Sequence, residues 1–167
     1  MNTDIRDNLL QDIREYLGDG LLEVYLDYKH PLLLIERDRL HDTCRFLKNT
    51  MHFIYLNEII GTDRFTSEDR FEVIYHLVSL RDRQRLFVKV RVDEELPVLP
   101  TVTDIWKGAN WNEREVYDMF GIRFEGHPDL RRIFLPEDFK YYPLRKEFPL
   151  LGVPGSLEMP NSTPDHD

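Results

Sequence analysis

The feature that most limits this chain is where its prolines fall. Seven of the ten prolines lie at or after Pro128, within the last 40 residues. Proline lacks the amide hydrogen that a helix interior or a central strand needs. The C-terminal quarter therefore cannot be one long helix or an inner strand. Nor does it read as a solvated linker, because residues 124–148 carry Phe124, Phe134, Phe139, Tyr141, Tyr142 and Phe148. Aromatic side chains on an extended, proline-pinned chain need a surface to lie on, either their own domain or another protein. After Leu151 the stretch GVPGSLEMPNSTPDHD is polar and reads as mobile or ordered by a partner.

Ahead of that segment the hydrophobic pattern alternates between two periods. Ile5, Leu9, Leu10, Ile13 and Leu17 recur at helical steps, with Thr3 as N-cap and Gly18 as the stop. LLEVYLDY (Leu21 to Tyr28) and LLLIE (Leu32 to Glu36) read as strands, the second a buried one. Asp38 to Thr50 reads as a helix with Leu40, Cys44 and Leu47 on one face, and HFIYLNEIIGTDR as a strand ending near Gly61. FEVIYHLVSL and RLFVKVRV, separated by RDRQ, predict a tight hairpin. In its second strand Phe87, Lys89 and Arg91 alternate with Val88, Val90 and Val92, so one face is wet. Pro97 and Pro100 break the chain, and TVTDIWKGA opens a short helix or turn. The expected fold class is α+β: a mixed sheet packed with helices, followed by an extended proline-rich C-terminal arm. The expected divisions are a globular domain at 1–122, an arm at 123–150 and a polar tail at 151–167.

Composition removes several function classes. The length of 167 residues fits one domain, with or without an appendage, and no run approaches the roughly 18 apolar residues of a membrane span. The first residues lack the basic and apolar regions of a secretory signal. One cysteine, Cys44, and histidines without ligand spacing argue that the chain holds no metal or iron–sulfur cluster of its own. Net charge is −9, which disfavours a nucleic-acid partner. That charge is uneven: residues 1–120 carry a net −7, residues 121–150 a net +1, and residues 151–167 a net −3.

The stretch NWNEREVYDMFGI, Asn110 to Ile122, gathers Glu113, Arg114, Glu115 and Asp118 in one short run. Asn110 and Glu113 have capping-box spacing, and Gly121 suits the position that ends a helix. Glu113 and Glu115 fall in the expected first turn, Arg114 and Asp118 stand as an i,i+4 pair, and Val116, Met119 and Phe120 form the apolar face. Three readings stay open: acid/base chemistry by Glu115, Asp118 and His127, a self-paired helix face, or a docking surface. No nucleotide, hydrolase or metalloprotease motif competes. Two basic pairs, Arg131-Arg132 and Arg145-Lys146, stand beside apolar residues in DLRRIFLP and YYPLRKEFP, where an arginine can bind a partner's carboxylates while its stem covers apolar surface.

From Glu113 to Ile133 the residues EREVYDMFGIRFEGHPDLRRI resemble the signature of the 30 kDa subunit family of respiratory complex I, the bacterial C subunit in its separate form. The continuation IFLPEDFKYYPLRKEFPL resembles that family's C-terminal run, so the likeness covers about Trp106 to Leu150. It implies a peripheral-arm component of NADH:quinone oxidoreductase at the cytoplasmic face of the bacterial inner membrane. It implies no cofactor on this chain, although the whole complex carries FMN, iron–sulfur clusters, NADH and quinone. It implies contact with the D subunit of the complex and with neighbouring iron–sulfur subunits. The residues expected at that contact are Glu113, Arg114, Glu115, Asp118, Met119, Phe120, His127, Arg131, Arg132, Pro143, Leu144, Arg145 and Lys146. The same family has counterparts in photosynthetic NDH complexes and membrane-bound hydrogenases, which leaves the electron donor open.

Overall fold

The computed structural model describes residues 3–26 and 29–149, with side chains from residue 7 onward. The expected tail at 151–167 lies outside the described residues. Helix α1 runs Thr3–Leu17 and already includes Thr3, so Thr3 is not its cap. Leu9, Leu10, Ile13 and Leu17 are buried, as their spacing requires. A 3-10 turn, Gly18–Gly20, turns the chain into β1, Leu21–Tyr25. That strand is shorter than expected, and Asp27 and Tyr28 lie outside the described residues. Strand β2 is Leu32–Ile35, and a 3-10 turn at Arg37–Arg39 leads into α2, Leu40–Asn49. Leu40, Cys44 and Leu47 are fully buried, and burial pushes the Cys44 thiol far above its usual range.

Strands β3 (Tyr55–Asp63), β4 (Phe71–Ser79) and β5 (Gln84–Val92) complete a five-stranded mixed sheet in the order β1-β2-β5-β4-β3. Only β2 and β5 run parallel within it. The hairpin between β4 and β5 forms as expected, with Ser79 opposite Gln84. Its register puts Phe71 opposite Val92, Val73 opposite Val90, Tyr75 opposite Val88 and Leu77 opposite Leu86, and all eight side chains are buried on one face. The other face is half-covered. There Glu72 gathers Arg91 at 3.1 Å and Lys89 at 3.2 Å, and Lys89 sits 4.8 Å from the centre of the Tyr25 ring.

The third helix, α3, is Ala109–Phe120, and its apolar side joins α1, α2 and the sheet in one core. It lies along β3 at an edge of the sheet, and Gly61 permits the approach. A Cβ at Gly61 would stand 2.7 Å from the Phe120 ring and 3.3 Å from Val116. Strand β6 (Val98–Pro100) enters just before α3 and β7 (Arg123–Glu125) leaves just after it, and the two pair in parallel. Phe124 of β7 is buried in the common core. Three helices on a mixed sheet make the fold α+β, as the sequence indicates. Residues 126–149 follow as turns and bends.

Candidate functional site

Helix α3 carries the charged run, and its start differs from the capping-box expectation. The helix begins at Ala109, its N-cap is Gly108, and no side chain caps it. Glu113 therefore lies beyond the first turn and does not reach back to Asn110. Its carboxylate accepts the Val102 N–H at 2.7 Å and the Thr101 hydroxyl at 2.5 Å, both from the loop that follows β6. Glu113 is 0% exposed. Burial raises its pKa and the bonds from Thr101 and Val102 lower it, leaving it at about 7.

His127 lies 4.0 Å from this carboxylate, with its own side chain also buried. Its Nε2–H donates to the Asn110 carbonyl at 3.2 Å, and its Nδ1 accepts the Asp129 N–H at 2.9 Å. One nitrogen must donate and the other accept, so the ring is neutral and its tautomer is fixed. Burial lowers its pKa in the same sense. His127 thus pins the chain leaving β7 to the first turn of α3.

The expected Arg114–Asp118 pair does not form. Arg114 donates to the carbonyls of Arg131 at 3.0 Å and Arg132 at 3.3 Å, and its guanidinium lies 5.0 Å from the Trp111 ring. Asp118 is fully buried and turned toward a later segment. Its Oδ1 accepts from Arg132 at 2.7 Å, while its Oδ2 accepts the consecutive N–H groups of Ile133, Phe134 and Leu135 at 3.0, 2.8 and 3.1 Å. Burial works against its charge, but these donors win and hold Asp118 below the usual carboxylate range. Arg132 also donates to the Tyr141 carbonyl and lies 5.1 Å from the Tyr142 ring.

A second acid outside the run does similar work. Asp63, at the end of β3, takes a two-toothed bond from Arg70 at 3.0 and 2.8 Å and accepts the Lys146 N–H at 2.8 Å. Arg70 also bonds Glu147 and, at 2.7 Å, Glu94. Burial opposes the Asp63 charge, yet Arg70 and the backbone donors bring its pKa down to about 2. Close by, Arg145 donates to the Phe120 carbonyl at 2.8 Å and lies 5.0 Å from the Phe71 ring and 4.6 Å from the Tyr142 ring. Gly121, at φ +77°, ends α3 as its position requires. A Cβ there would meet the Tyr142 ring at 2.6 Å.

The residues singled out in the sequence thus separate into two sets. Glu113, Arg114, Asp118, Phe120, His127, Arg132 and Arg145 face inward and bind this chain's own backbone and core. Glu115, Arg131, Leu144 and Lys146 are exposed, with Met119 and Pro143 half-buried. Arg131 pairs only with Asp129, at 2.7 Å, among the described residues. Glu115, Asp118 and His127 occupy three separate environments, and no hydrogen bond or ion pair among the described residues joins them. Asp63, Arg70, Glu94, Glu147 and Thr101 are new to the site. No single-sequence signal marks them, since their partners lie across strands and loops.

The class of protein is a small α+β module whose buried acids clamp an irregular, aromatic C-terminal segment onto the sheet. The chain belongs to the family described as "Respiratory-chain NADH dehydrogenase, 30 Kd subunit", whose sequence model matches residues 33–153. A relative from Rhizobium etli (strain CIAT 652), a C subunit of NADH-quinone oxidoreductase numbered 2, is 43% identical over 87% of this chain and 78% of its own length. The NADH-quinone oxidoreductase C subunit of Roseiflexus sp. (strain RS-1) is 43% identical over 85% of this chain and 83% of its own. Among solved structures, a trypsin-resistant fragment (1-134) of Nqo5 superposes with a TM-score of 0.65 at 42% identity, covering 74% of this chain and 98% of that one. A chain of the membrane-bound sulfane sulfur reductase, an archaeal respiratory membrane complex, gives 0.70 at 25% identity, covering 87% of this chain and 86% of that one.

Proposed function

We propose that this chain is a peripheral-arm component of NADH-quinone oxidoreductase that scaffolds the quinone and iron–sulfur module by docking on the D subunit, with no catalytic residue of its own. One observation carries the reading. Most of the charged and titratable groups singled out in the sequence, all but the exposed Glu115, Arg131 and Lys146, are turned inward and satisfied by this chain's own donors and acceptors. Glu113, Asp118 and His127 close onto backbone, and Arg132 and Arg145 close onto carbonyls and aromatic rings. Such groups fix shape, and electron transfer between neighbouring proteins of a complex requires fixed shape. On this reading FMN and the iron–sulfur clusters sit in other subunits, and the chain is held at the cytoplasmic face of the membrane through the complex. No described helix is long and apolar enough to cross a membrane, which agrees with attachment through other proteins.

Identities of 42–43% to the C subunits and Nqo5, against 25% to the sulfane sulfur reductase chain, favour the NADH-quinone enzyme over a related respiratory complex. The test is affinity purification of the tagged chain from solubilised native membranes, with the partners identified by mass spectrometry. The D subunit and iron–sulfur subunits are expected in stoichiometric amounts. Recovery of the chain without them would overturn the reading.

A further inference from the structure

The side of α3 that does not enter the core borders a groove of about 220 Å³ against β3. Its apolar lining includes Ile60, Met119 and Leu144, with Phe120 packed over Gly61 in the floor, and among the described residues its only charged lining residues are Glu58 and Glu115. Ile60 is 37% exposed and Leu144 54% exposed, and Trp111, 64% exposed, continues the same stripe of α3 one turn before Glu115. Apolar surface of this kind, left open beside carboxylates, is what a partner covers.

The two acids are not equivalent. Glu58 is already engaged by His76 at 3.1 Å. Glu115 is exposed and has no ion pair or hydrogen bond to any other described side chain, although the rest of the charged run is saturated internally. Strand addition to β3 is obstructed here. With its amide turned to satisfy both ends, Asn112 donates to the Gly108 carbonyl at 3.0 Å and accepts the outward Ile59 N–H at 3.3 Å. Recognition must then come from side chains entering the groove rather than from a backbone ladder.

We propose that this groove receives a segment of a partner polypeptide that inserts one apolar side chain between Ile60, Met119 and Leu144 and places a Lys or Arg against Glu115. The proposal rests on the reading of the chain as one component of a larger assembly. Charge selects the occupant. Two carboxylates, one of them (Glu115) without any ion pair among the described residues, attract a basic segment and repel an acidic one. The chain's own residues 151–167 hold no Lys or Arg and three acids, so they do not supply it. A second copy, with net charge −9, is disfavoured for the same reason.

The test uses the full chain in its native membranes. A photo-crosslinking amino acid replaces Leu144, and the captured peptide is sequenced. Separately, Glu115→Lys and Met119→Asp chains are compared with the unaltered chain for co-purification of partner proteins, with thermal unfolding of each purified chain as the control for folding. The expected results are a crosslink to one segment with an apolar residue next to Lys or Arg, and about a tenfold loss of partner recovery for Glu115→Lys at unchanged melting temperature. A crosslink to an acidic or uncharged segment, to lipid or to a second copy overturns the proposal. So does undiminished recovery of partners by Glu115→Lys. Failure of the unaltered chain to co-purify any partner is a different result: it removes the reading as part of a complex, and this proposal falls with it.

Discussion

Asp118 and Arg132 meet at 2.7 Å in the interior, fourteen residues apart, and the same carboxylate receives three successive backbone N–H groups just beyond that arginine. The pair ties the last turn of α3 to the chain after β7. Removing the acid leaves a largely buried guanidinium and three backbone donors without their acceptor. Asp118→Ala should cost on the order of 3–5 kcal/mol in urea unfolding. It should also speed tryptic cleavage after Arg131 and Arg132, because the segment they occupy loses its main anchor. Unchanged stability would mean that the anchor is elsewhere.

Glu113 gives the protein a pH dependence of definite sign. Its folded pKa of about 7 lies above its ordinary value of 4.5, so the folded state binds the proton more tightly. The stabilisation is complete below pH 4.5 and is lost as pH rises through about 7. Glu113→Gln keeps a carbonyl for the Val102 N–H and an N–H for the Thr101 hydroxyl, but cannot ionise. Unfolding free energies measured from about pH 4.5 to 8 should therefore shift in favour of the Gln variant by about 3 kcal/mol across that range. His127, lowered by burial, acts in the opposite sense in both proteins.

Asp63 supplies the acid limb. Its pKa of about 2, against an ordinary 3.8, means that its contribution is present above pH 3.8 and is lost as pH falls through about 2. Asp63→Asn should be less stable than the natural chain at neutral pH and should converge on it in acid titrations followed by circular dichroism. Parallel titration curves would contradict this assignment.

Gly61 is a steric requirement rather than a flexible point. A methyl group there meets the Phe120 ring at 2.7 Å, so Gly61→Ala should destabilise by about 1–3 kcal/mol. Combining it with Phe120→Leu should recover part of that loss. Strict additivity of the two substitutions would show that the clash is relieved some other way.

Two arginines that look alike in the sequence should behave differently. Arg131 is exposed and paired with a neighbouring surface acid, so Arg131→Glu should leave the melting temperature essentially unchanged. Arg145 lies between the Phe71 and Tyr142 rings and bonds the last carbonyl of α3, so Arg145→Glu should lower the melting temperature by several degrees or prevent folding. A double charge reversal is therefore no clean probe of partner binding, whereas Arg131→Glu alone is.

The legible part of this fold is the part written in local periods. The apolar spacing of α1 and α2, the alternation in β5 and the glycine that stops α3 all emerge from the sequence, because each depends on neighbours within a few residues. The charged run is legible as a helix and misleading in detail. Asn110 and Glu113 carry the letters of a capping box, and Arg114 and Asp118 those of a helical ion pair. Yet the helix starts at Ala109, which moves Glu113 out of the first turn, and segments 11 to 18 residues away offer each charge a stronger buried partner. The Asp63–Arg70 contact spans a loop in which Phe65 and Asp69 adopt positive φ, and a bulky residue such as Phe65 does not announce it.

The direction of these bonds also sets an order of events during synthesis. Asp118 waits for residues 132–135, Glu113 stands beside a histidine at 127, and Asp63 completes its shell only with Lys146. A ribosome emitting the chain from its N-terminus exposes α3 with Asp118 before its donors have appeared, although Thr101 and Val102 already stand ready for Glu113. The sheet can assemble early, but α3 cannot take its final seat until almost the whole described chain is out. A message broken shortly after codon 122 would then yield a product in which Asp63 keeps Arg70 and Glu113 keeps Thr101 and Val102, while Asp118 is left with a buried-type carboxylate and none of its donors.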